Sequence, residues 1–363
     1  MKILHLVGTL NPGGIERVVT DLAVAQKLHQ NQLAVCCLLE RTGPFISLLE
    51  RENIPVYEAC YQDKPWQLPK RLSEILDLFQ PDVIHSHVNF SLLWQVLSIP
   101  RRTKIRFIIT QHTLLTPTFW VNIRSRLIYR LIKPYIYCHT AVSETAAAHA
   151  AQLYGLNKQQ FVIVRNGIVP ERYGFDKLAR QRIRQAMAVD DDMVLWGSVG
   201  RLAHVKGYDV LLRAFARARV SSPHLHLAIA GDGPQLSSLQ ALARQLDCAA
   251  YIHWLGPRSD IPAVLSTFDR YVQPSRKESA SLTLLEAMAN GLPIVASCVG
   301  GMKELANYND AIFLVEAEDV ASLSAAILRY TYLNGRRSHN KLSQELTLAT
   351  MHDKFYQVYT AYI

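Results

Sequence analysis

The sequence predicts an α/β protein of two doubly wound domains that face each other across a cleft. The chain has 363 residues, which is long for a single hydrophobic core. Apolar strand-like runs alternate with helical segments, a pattern typical of parallel sheets covered by helices on both faces. The alternation begins afresh after residue 192, so the chain divides into two series.

The first series ends near residue 167. A buried strand is predicted at 3–7, and Gly13-Gly14 begin a helix that runs to about residue 28. The elements that follow are a strand at 33–39, a helix at 44–52, a short strand at 55–57, a helix at 69–79, a strand at 82–87, a helix at 90–98, a strand at 106–110, a helix at 120–133, a strand at 140–144 with a helix after it, and a strand at 161–167.

The second series follows a junction at 168–192. Its predicted elements are a strand at 193–200, a helix at 207–219, a strand at 226–233, a helix at 235–246, a strand at 251–256, a helix at 260–266 and a strand at 270–275. A loop of small residues then opens a helix at 284–289, and a strand-like run at 293–296 follows. Ligands of such folds bind at the carboxyl ends of the strands.

Composition excludes some classes of protein. Hydrophobic residues make up 49% of the chain and charged residues 19%, and no apolar run approaches eighteen residues, so no transmembrane helix is expected. The N-terminus is interpreted as a first strand and not as a signal peptide. The six cysteines lack the two-residue spacing of zinc or redox sites, which favours reduced thiols in a cytoplasmic protein.

The formal net charge of +9 is concentrated in one window. Residues 83–143 contain no Asp or Glu but eight Lys and Arg residues, a field that attracts an anionic partner. Within it, residues 119–133 combine apolar residues at helical spacing with Arg124, Arg126, Arg130 and Lys133. The segment is predicted to hold the protein on an anionic membrane; alternatively, its apolar face packs on its own domain. Nucleic acid is not expected, because no known nucleic-acid-binding module is recognisable.

Charged residues follow two strands of the second series. Arg201 and Lys206 lie just after the strand at 193–200 and suit a diphosphate, although a solvated basic turn would have the same composition. Small residues 279–283 precede the helix at 284–289, whose free N–H groups can bind an anion. Glu278 stands before this loop and Glu286 within the helix, where a sugar and a ligand hydroxyl are expected; a capping carboxylate and a surface charge are the alternative.

No metal site is expected. Asp190-Asp191-Asp192 precede a strand at its amino end and are interpreted as a solvated turn. His85 and His87 alternate along a strand and are expected to point to opposite faces, so they do not chelate one ion easily. His87 is expected to face the cleft.

Several motifs together resemble the retaining glycosyltransferases of the GT-B fold, the large family 4. The motifs of the second half are specific: Gly200-Arg201-Leu202 with Lys206-Gly207, Ala230-Gly231-Asp232-Gly233-Pro234, and Glu278 followed by the run from Leu284 to Pro293. Those of the first half are weaker singly but occur in the family's order: residues 12–17, 81–87, 141–144 and 165–168. The resemblance covers most of the chain and implies two Rossmann-like domains.

The resemblance implies roles for individual residues. Arg201 and Lys206 match the pair that neutralises the donor diphosphate, Glu286 matches the carboxylate that holds the ribose, and Glu278 the one beside the transferred sugar. The remaining matches are Leu282, Thr283 and Leu284 for amides that contact the donor, Gly13 and Gly14 for the loop near the reacting phosphate, and His112 for a histidine at the sugar end of the cleft. The family often has Gly-Phe-Gly where this chain has Ser279-Ala280-Ser281, which leaves the donor sugar open.

The implied activity is metal-independent, retaining transfer of a hexose or N-acetylhexosamine from a UDP- or GDP-sugar, with no cofactor. The catalytic set is His112, Glu278, Arg201 and Lys206, and His87 is assigned to acceptor binding. The acceptor is expected to be a glycan or lipid-linked glycan of bacterial surface polysaccharide or lipopolysaccharide synthesis, met at the inner face of the membrane. A catalytically silent binding subunit and a sugar-nucleotide epimerase are the alternatives.

The resemblance also implies which ligand each domain binds. Residues 1–170 are expected to bind the acceptor and 171–345 the nucleotide sugar, while a helix in 346–363 returns to the first domain. The two domains are expected to close over the donor.

Overall fold

The computed structural model describes residues 1–60, 65–99, 104–114, 119–332 and 342–361. The chain forms two compact units, Met1–Ile168 with Glu345–Ile363, and Val169–Gln344. Each unit is an α/β domain around one parallel sheet, so the predicted class of two doubly wound domains is confirmed.

The sheet of the first unit has seven described strands. They are β1 (Lys2–Val7), β2 (Gln32–Cys37), β3 (Val56–Glu58), β4 (Val83–Ser86), β5 (Arg106–Gln111), β6 (Cys138–Ala141) and β7 (Phe161–Ile163). Their order is β3-β2-β1-β4-β5-β6-β7. All neighbours are parallel, and the side on which successive strands are added changes between β1 and β4. The carboxyl ends of β1 and β4 therefore border the crevice where doubly wound domains bind ligands.

Helices cover this sheet. They are α1 (Gly14–Leu28), α2 (Phe45–Arg51), α3 (Leu68–Phe79), α4 (Leu92–Leu97), α5 (Phe119–Ile132) and α6 (Glu144–Tyr154). Strands β1 and β2 are almost entirely buried, as expected for a sheet that helices cover on both faces.

The sheet of the second unit has six described strands. They are β8 (Val194–Val199), β9 (Leu225–Ala230), β10 (Ile252–Gly256), β11 (Arg270–Gln273), β12 (Ile294–Ser297) and β13 (Ile312–Val315). Their order, β10-β9-β8-β11-β12-β13, places the switch point between β8 and β11.

The helices of the second unit are α7 (Lys177–Ala186), α8 (Tyr208–Ser221), α9 (Leu236–Gln245), α10 (Ile261–Thr267), α11 (Leu282–Ala289), α12 (Gly300–Leu305) and α13 (Val320–Tyr332). A last helix, α14 (Leu348–Thr360), belongs to the first unit and packs against α1. The amide of Leu348 donates to the carbonyl of Ile168 at 2.8 Å, which fixes the start of α14 beside the end of the first series.

Four of the described α-helices and β-strands lie outside those predicted. Helix α7 falls in the predicted junction because its sequence is mostly polar, yet Asp176 caps it by accepting from the amide of Ala179 at 2.9 Å. Helices α12 and α13 and strand β13 follow the last predicted strand, and they complete the edge of the second sheet. Among the described helices, none is both long and apolar enough to cross a bilayer.

Candidate functional site

The carboxyl edge of the second sheet brings together the two segments that follow β8 and β11. Gly207 has the left-handed φ of 68°, and a Cβ atom on it would lie 2.1 Å from the carbonyl oxygen of Pro274. Arg276 ties the same segments, since its amide donates to Val205 O and its Nη1 to His204 O, both at 2.8 Å. The loop that carries Lys206 is therefore held against the loop that leads to Glu278.

Lys206 and Glu278 form an ion pair, with Nζ 2.5 Å from Oε2. Their side chains are 25% and 12% exposed. The amide of buried Gln273, the last residue of β11, also donates to Oε2 of Glu278, at 3.3 Å, and to Ser281 Oγ at 2.8 Å. Gln273 was not predicted, although a polar residue at the end of an apolar strand was a signal for it.

Arg201 is exposed directly after β8. The loop after β9 supports its backbone: Gly231 has φ 144°, and a Cβ atom there would lie 1.9 Å from Gly200 O. The amide of Leu202 donates to Asp232 O at 2.9 Å. The glycines of this loop thus allow close backbone approach beside Arg201.

Helix α11 presents its N-terminus at the same edge. Ser281 is the N-cap, and its Oγ accepts from the amide of Leu284 at 3.2 Å. Of the three amides expected to contact the donor, that of Leu284 is thus engaged within the protein, while Leu282 and Thr283 form the first turn. The side chain of Leu284 is buried.

Glu286 lies one turn into α11 and is buried. Its Oε1 accepts a hydrogen bond from the Tyr173 hydroxyl at 2.8 Å. Asn290, at the end of the helix, donates to Tyr173 O at 2.7 Å and so fixes the tyrosine. No sequence signal pointed to Tyr173, which precedes Glu286 by 113 residues.

The first unit contains a cavity of about 610 Å³ at the carboxyl edge of its sheet. His87 and His112, predicted separately, both line it and are both buried. Gly13 and Gly14 are exposed at the start of α1 and are not among the lining residues. Glu16, one turn further, does line the cavity, and burial raises its pKa.

The histidines of this edge form a hydrogen-bonded cluster. His5 Nδ1 lies 2.9 Å from His87 Nε2, and His87 Nδ1 lies 2.9 Å from His112 Nε2. The interpretation that His85 and His87 point to opposite faces was wrong, since their ring centroids are only 3.9 Å apart. Residues two apart on a strand share a face, and only neighbours alternate.

The acidic and histidine groups differ as candidate metal ligands. Asp190, Asp191 and Asp192 are exposed at the amino end of β8, opposite the edge that carries the charged pair. Ring nitrogens of His5, His85 and His87 lie within 4.8 Å of one another. Each ring nitrogen of these three residues already has a hydrogen-bond partner within the protein, so an ion would have to displace those bonds.

Comparison with known proteins gives two family matches and related chains. Residues 12–172 match the model for Glycosyltransferase Family 4, and 179–345 the model for Glycosyl transferases group 1. An uncharacterized glycosyltransferase of Haemophilus influenzae is 26% identical over 321 residues, 86% of this chain and 84% of the relative. A GDP-mannose-dependent alpha-(1-6)-phosphatidylinositol monomannoside mannosyltransferase of Mycolicibacterium smegmatis is 32% identical over 170 residues, 44% of either chain.

Solved structures share the whole fold. The crystal structure of Anabaena Alr3699/HepE in complex with UDP and glucose covers 100% of both chains with a TM-score of 0.86 and 21% identity. This likeness confirms the predicted GT-B fold.

Proposed function

Because the chain is a glycosyltransferase of the GT-B fold, we propose that it moves a hexose or N-acetylhexosamine from a nucleoside-diphosphate sugar to a glycan or lipid-linked acceptor, with retention of configuration. One observation carries the proposal. Lys206, Glu278 and Glu286 lie on the two loops and the helix that meet at the switch point of the second sheet, with Arg201 beside them. This is where a doubly wound domain binds a nucleotide.

The donor diphosphate gains charge as it leaves, and cationic groups that meet this charge lower the barrier. Arg201 offers a planar fork and Lys206 a mobile ammonium, so no metal ion is required in the proposed mechanism. Glu278 holds the ammonium of Lys206 and stands beside the transferred sugar, where a carboxylate favours a developing positive charge. The leaving phosphate itself takes the proton of the acceptor hydroxyl.

Glu286 is proposed to bind the ribose. A carboxylate accepts hydrogen bonds from two neighbouring hydroxyls, and Tyr173 fixes its orientation before the nucleotide arrives. Leu282 and Thr283 contribute the open amides of the first turn of α11.

We propose UDP as the nucleotide, because the structural relatives include complexes with UDP and with UDP-glucose. A GDP-sugar is the second candidate, favoured by the GDP-mannose-dependent relative. A panel of UDP-glucose, UDP-galactose, UDP-N-acetylglucosamine and GDP-mannose, read by thermal shift and by release of the nucleotide, tests the choice. Stabilisation by one nucleotide, lost in Glu286→Gln, is expected; no effect of any donor would contradict the function.

The acceptor is proposed to enter through the first unit, where His87 and His112 line the cavity. Lipid-linked glycans of surface polysaccharide or lipopolysaccharide synthesis fit this assignment, because α5 offers a surface for a membrane. Ile123, Leu127 and Leu131 recur every fourth residue and are 38%, 60% and 68% exposed.

The surface of α5 differs from the single apolar face that the sequence predicted. Tyr129 and Ile132 are buried against the first unit, while the stripe of Ile123, Leu127 and Leu131 faces solvent. The basic residues Arg124, Arg126, Arg130 and Lys133 are exposed around it. The side chains of Phe119 and Trp120, also assigned to this surface, lie outside the described residues.

An apolar stripe bordered by arginines suits an anionic leaflet, since each basic residue near such a surface contributes roughly 1 kcal/mol. We therefore propose that the protein binds the cytoplasmic face of the membrane as a peripheral enzyme.

A further inference from the structure

A continuous chain of hydrogen bonds runs through the first unit from a backbone carbonyl to the cavity. It begins at Ile109 O and passes through Thr140, Thr110, His85, Tyr359, Gln26, His5 and His87 to His112. All eight side chains in it are buried. Parallel pairing sets the link between the two threonines, because Thr110 lies opposite Thr140.

The carbonyl end fixes which atom donates in the first links. Ile109 O can only accept, so the Thr140 hydroxyl donates to it, at 3.4 Å. Thr140 has no second proton, so Thr110 donates to Thr140 at 2.5 Å. The Thr110 oxygen then accepts from His85 Nε2, 2.6 Å away, and His85 carries its proton on that nitrogen.

The middle links continue in the same direction. With its proton on Nε2, His85 accepts at Nδ1 from the Tyr359 hydroxyl, at 2.7 Å. The Tyr359 oxygen in turn accepts from the amide Nε2 of Gln26 at 3.2 Å. This orients the Gln26 amide so that its Oε1 faces His5 Nε2 at 2.7 Å, and His5 must donate.

The last links carry the direction to the cavity. His5 Nδ1 accepts from His87 Nε2, and His87 Nδ1 accepts from His112 Nε2, each at 2.9 Å. This requires rings that each hold a single proton. Burial lowers the pKa of His5 to about 4 and that of His112 to about 3, and it lowers the pKa values of His85 and His87 as well.

We propose that Gln26, Tyr359 and Thr140 are positioning residues that hold His112 in its Nε2–H tautomer. Any group that contacts His112 Nδ1 must then be a donor, such as a hydroxyl of a sugar. This consequence for recognition rests on the proposed function, but the tautomer itself does not. None of the three positioning residues lines the cavity.

The test observes the tautomer directly. Long-range ¹H–¹⁵N correlation spectra of histidine-labelled, full-length protein distinguish Nδ1–H, Nε2–H and doubly protonated rings. We expect His5, His85, His87 and His112 to be Nε2–H at pH 7. Gln26→Met, which removes the amide at similar volume, should give a second tautomer at His112.

Two substitutions of Thr140, at the end of the chain of hydrogen bonds farthest from the cavity, separate the effect of hydrogen-bond direction from that of side-chain packing. Thr140→Val removes the hydroxyl while keeping the shape, and Thr140→Ser keeps the hydroxyl. We expect mixed tautomers in the first and wild-type spectra in the second. If half of the molecules hold the other tautomer, the apparent KM for the substrate that meets His112 rises about twofold.

Three results would overturn the proposal. One is a wild-type His112 that is Nδ1–H or charged at pH 7. Another is an unchanged His112 tautomer in both Gln26→Met and Thr140→Val. The third is stoichiometric Zn²⁺ binding that His5→Gln abolishes, which would make the cluster a metal site. Inactivity towards every donor with the expected spectra would count against the proposed function alone.

Discussion

The ammonium of Lys206 lies 2.5 Å from Oε2 of Glu278, so two residues assigned to different parts of the donor bind each other. We predict that Lys206→Met slows transfer by about 100- to 1,000-fold, because a cation aimed at developing charge contributes roughly 2.7–4 kcal/mol. Release of the nucleotide from the donor measures the rate, and circular dichroism checks the fold. Near-wild-type turnover in a folded variant would remove Lys206 from the mechanism.

The ion pair between Lys206 and Glu278 predicts that the effects of the two substitutions on stability are not additive. Glu278→Gln and Lys206→Met should each destabilise the second unit, because each leaves a largely buried charge without its partner. The double variant should lose less than the sum, with a coupling free energy of about 1–3 kcal/mol in urea unfolding. Additive losses would show that the ion pair contributes nothing to the fold.

Glu286 and Tyr173 should separate binding from positioning. We predict that Glu286→Gln weakens donor binding by about tenfold or more, because the ribose loses charged acceptors. Tyr173→Phe should weaken it by less, near fivefold, since only the hydrogen bond that orients the carboxylate is lost. Calorimetric titration with the nucleotide measures both; a larger effect of Tyr173→Phe would reverse the assignment.

The sequence was sufficient to predict the apolar strands of the two sheets, but not every polar helix between them. Strand runs such as those of β1 and β8 are mostly apolar, so their positions could be predicted within a residue or two. The polar helix α7 escaped this pattern, because one capping aspartate and a few buried residues define it.

The residues of the candidate site also divide into those that sequence patterns locate and those that they do not. Lys206, Glu278 and Glu286 stand at strand and helix ends, which sequence patterns can locate. Tyr173, by contrast, reaches Glu286 only through tertiary packing, which a local pattern does not contain.

Two glycines with nearly the same positive φ offer a matched test of the close approach beside Lys206. Gly207 has φ 68° and Gly256 has φ 64°. A Cβ atom at Gly207 would lie 2.1 Å from Pro274 O, whereas one at Gly256 meets nothing within 4 Å. We expect Gly256→Ala to cost about 1 kcal/mol of unfolding free energy, the strain alone.

Gly207→Ala should cost about 2–3 kcal/mol more, because the loop must move away from Pro274. It should also weaken donor binding, since Lys206 moves with it. Equal losses of stability in the two variants, measured by urea unfolding, would mean that the contact with Pro274 is unimportant.

The buried histidines predict that the first unit is sensitive to acid. Burial lowers the pKa of His5 from 6.5 to about 4, so between these values the unfolded chain binds a proton that the folded chain does not. The free energy of unfolding therefore falls as the pH decreases through this window. His5 alone should cost about 2 kcal/mol at pH 5, and His85, His87 and His112 act in the same direction.

Urea unfolding at pH 7, 6 and 5 measures how the free energy of unfolding changes with pH. Hydrogen exchange of the amides in β1 and β4 monitors the first unit in the same experiment. His5→Gln should be less stable than the wild type at pH 7, because it breaks the chain of hydrogen bonds that leads to His112. Its stability should depend less on pH, because it lacks one buried histidine. Parallel pH profiles for the two proteins would contradict the assignment.

The last prediction concerns α5, where Leu127 and Leu131 are exposed between arginines. We expect the protein to sediment with vesicles that contain an anionic phospholipid, and to be released by salt, because the attraction between exposed charges is screened. Changing Arg126 and Arg130 to Glu should abolish sedimentation, and changing both leucines to Gln should weaken it in anionic vesicles.

A control of equal charge decides whether the location matters. Arg213 and Arg217 are also four residues apart and exposed, on α8 of the second unit. Their change to Glu alters the net charge by the same amount, so vesicle binding should persist if α5 is the docking surface. Equal losses in the two double variants would mean that net charge alone attracts the protein, and equal recovery with neutral vesicles would exclude the anionic surface altogether.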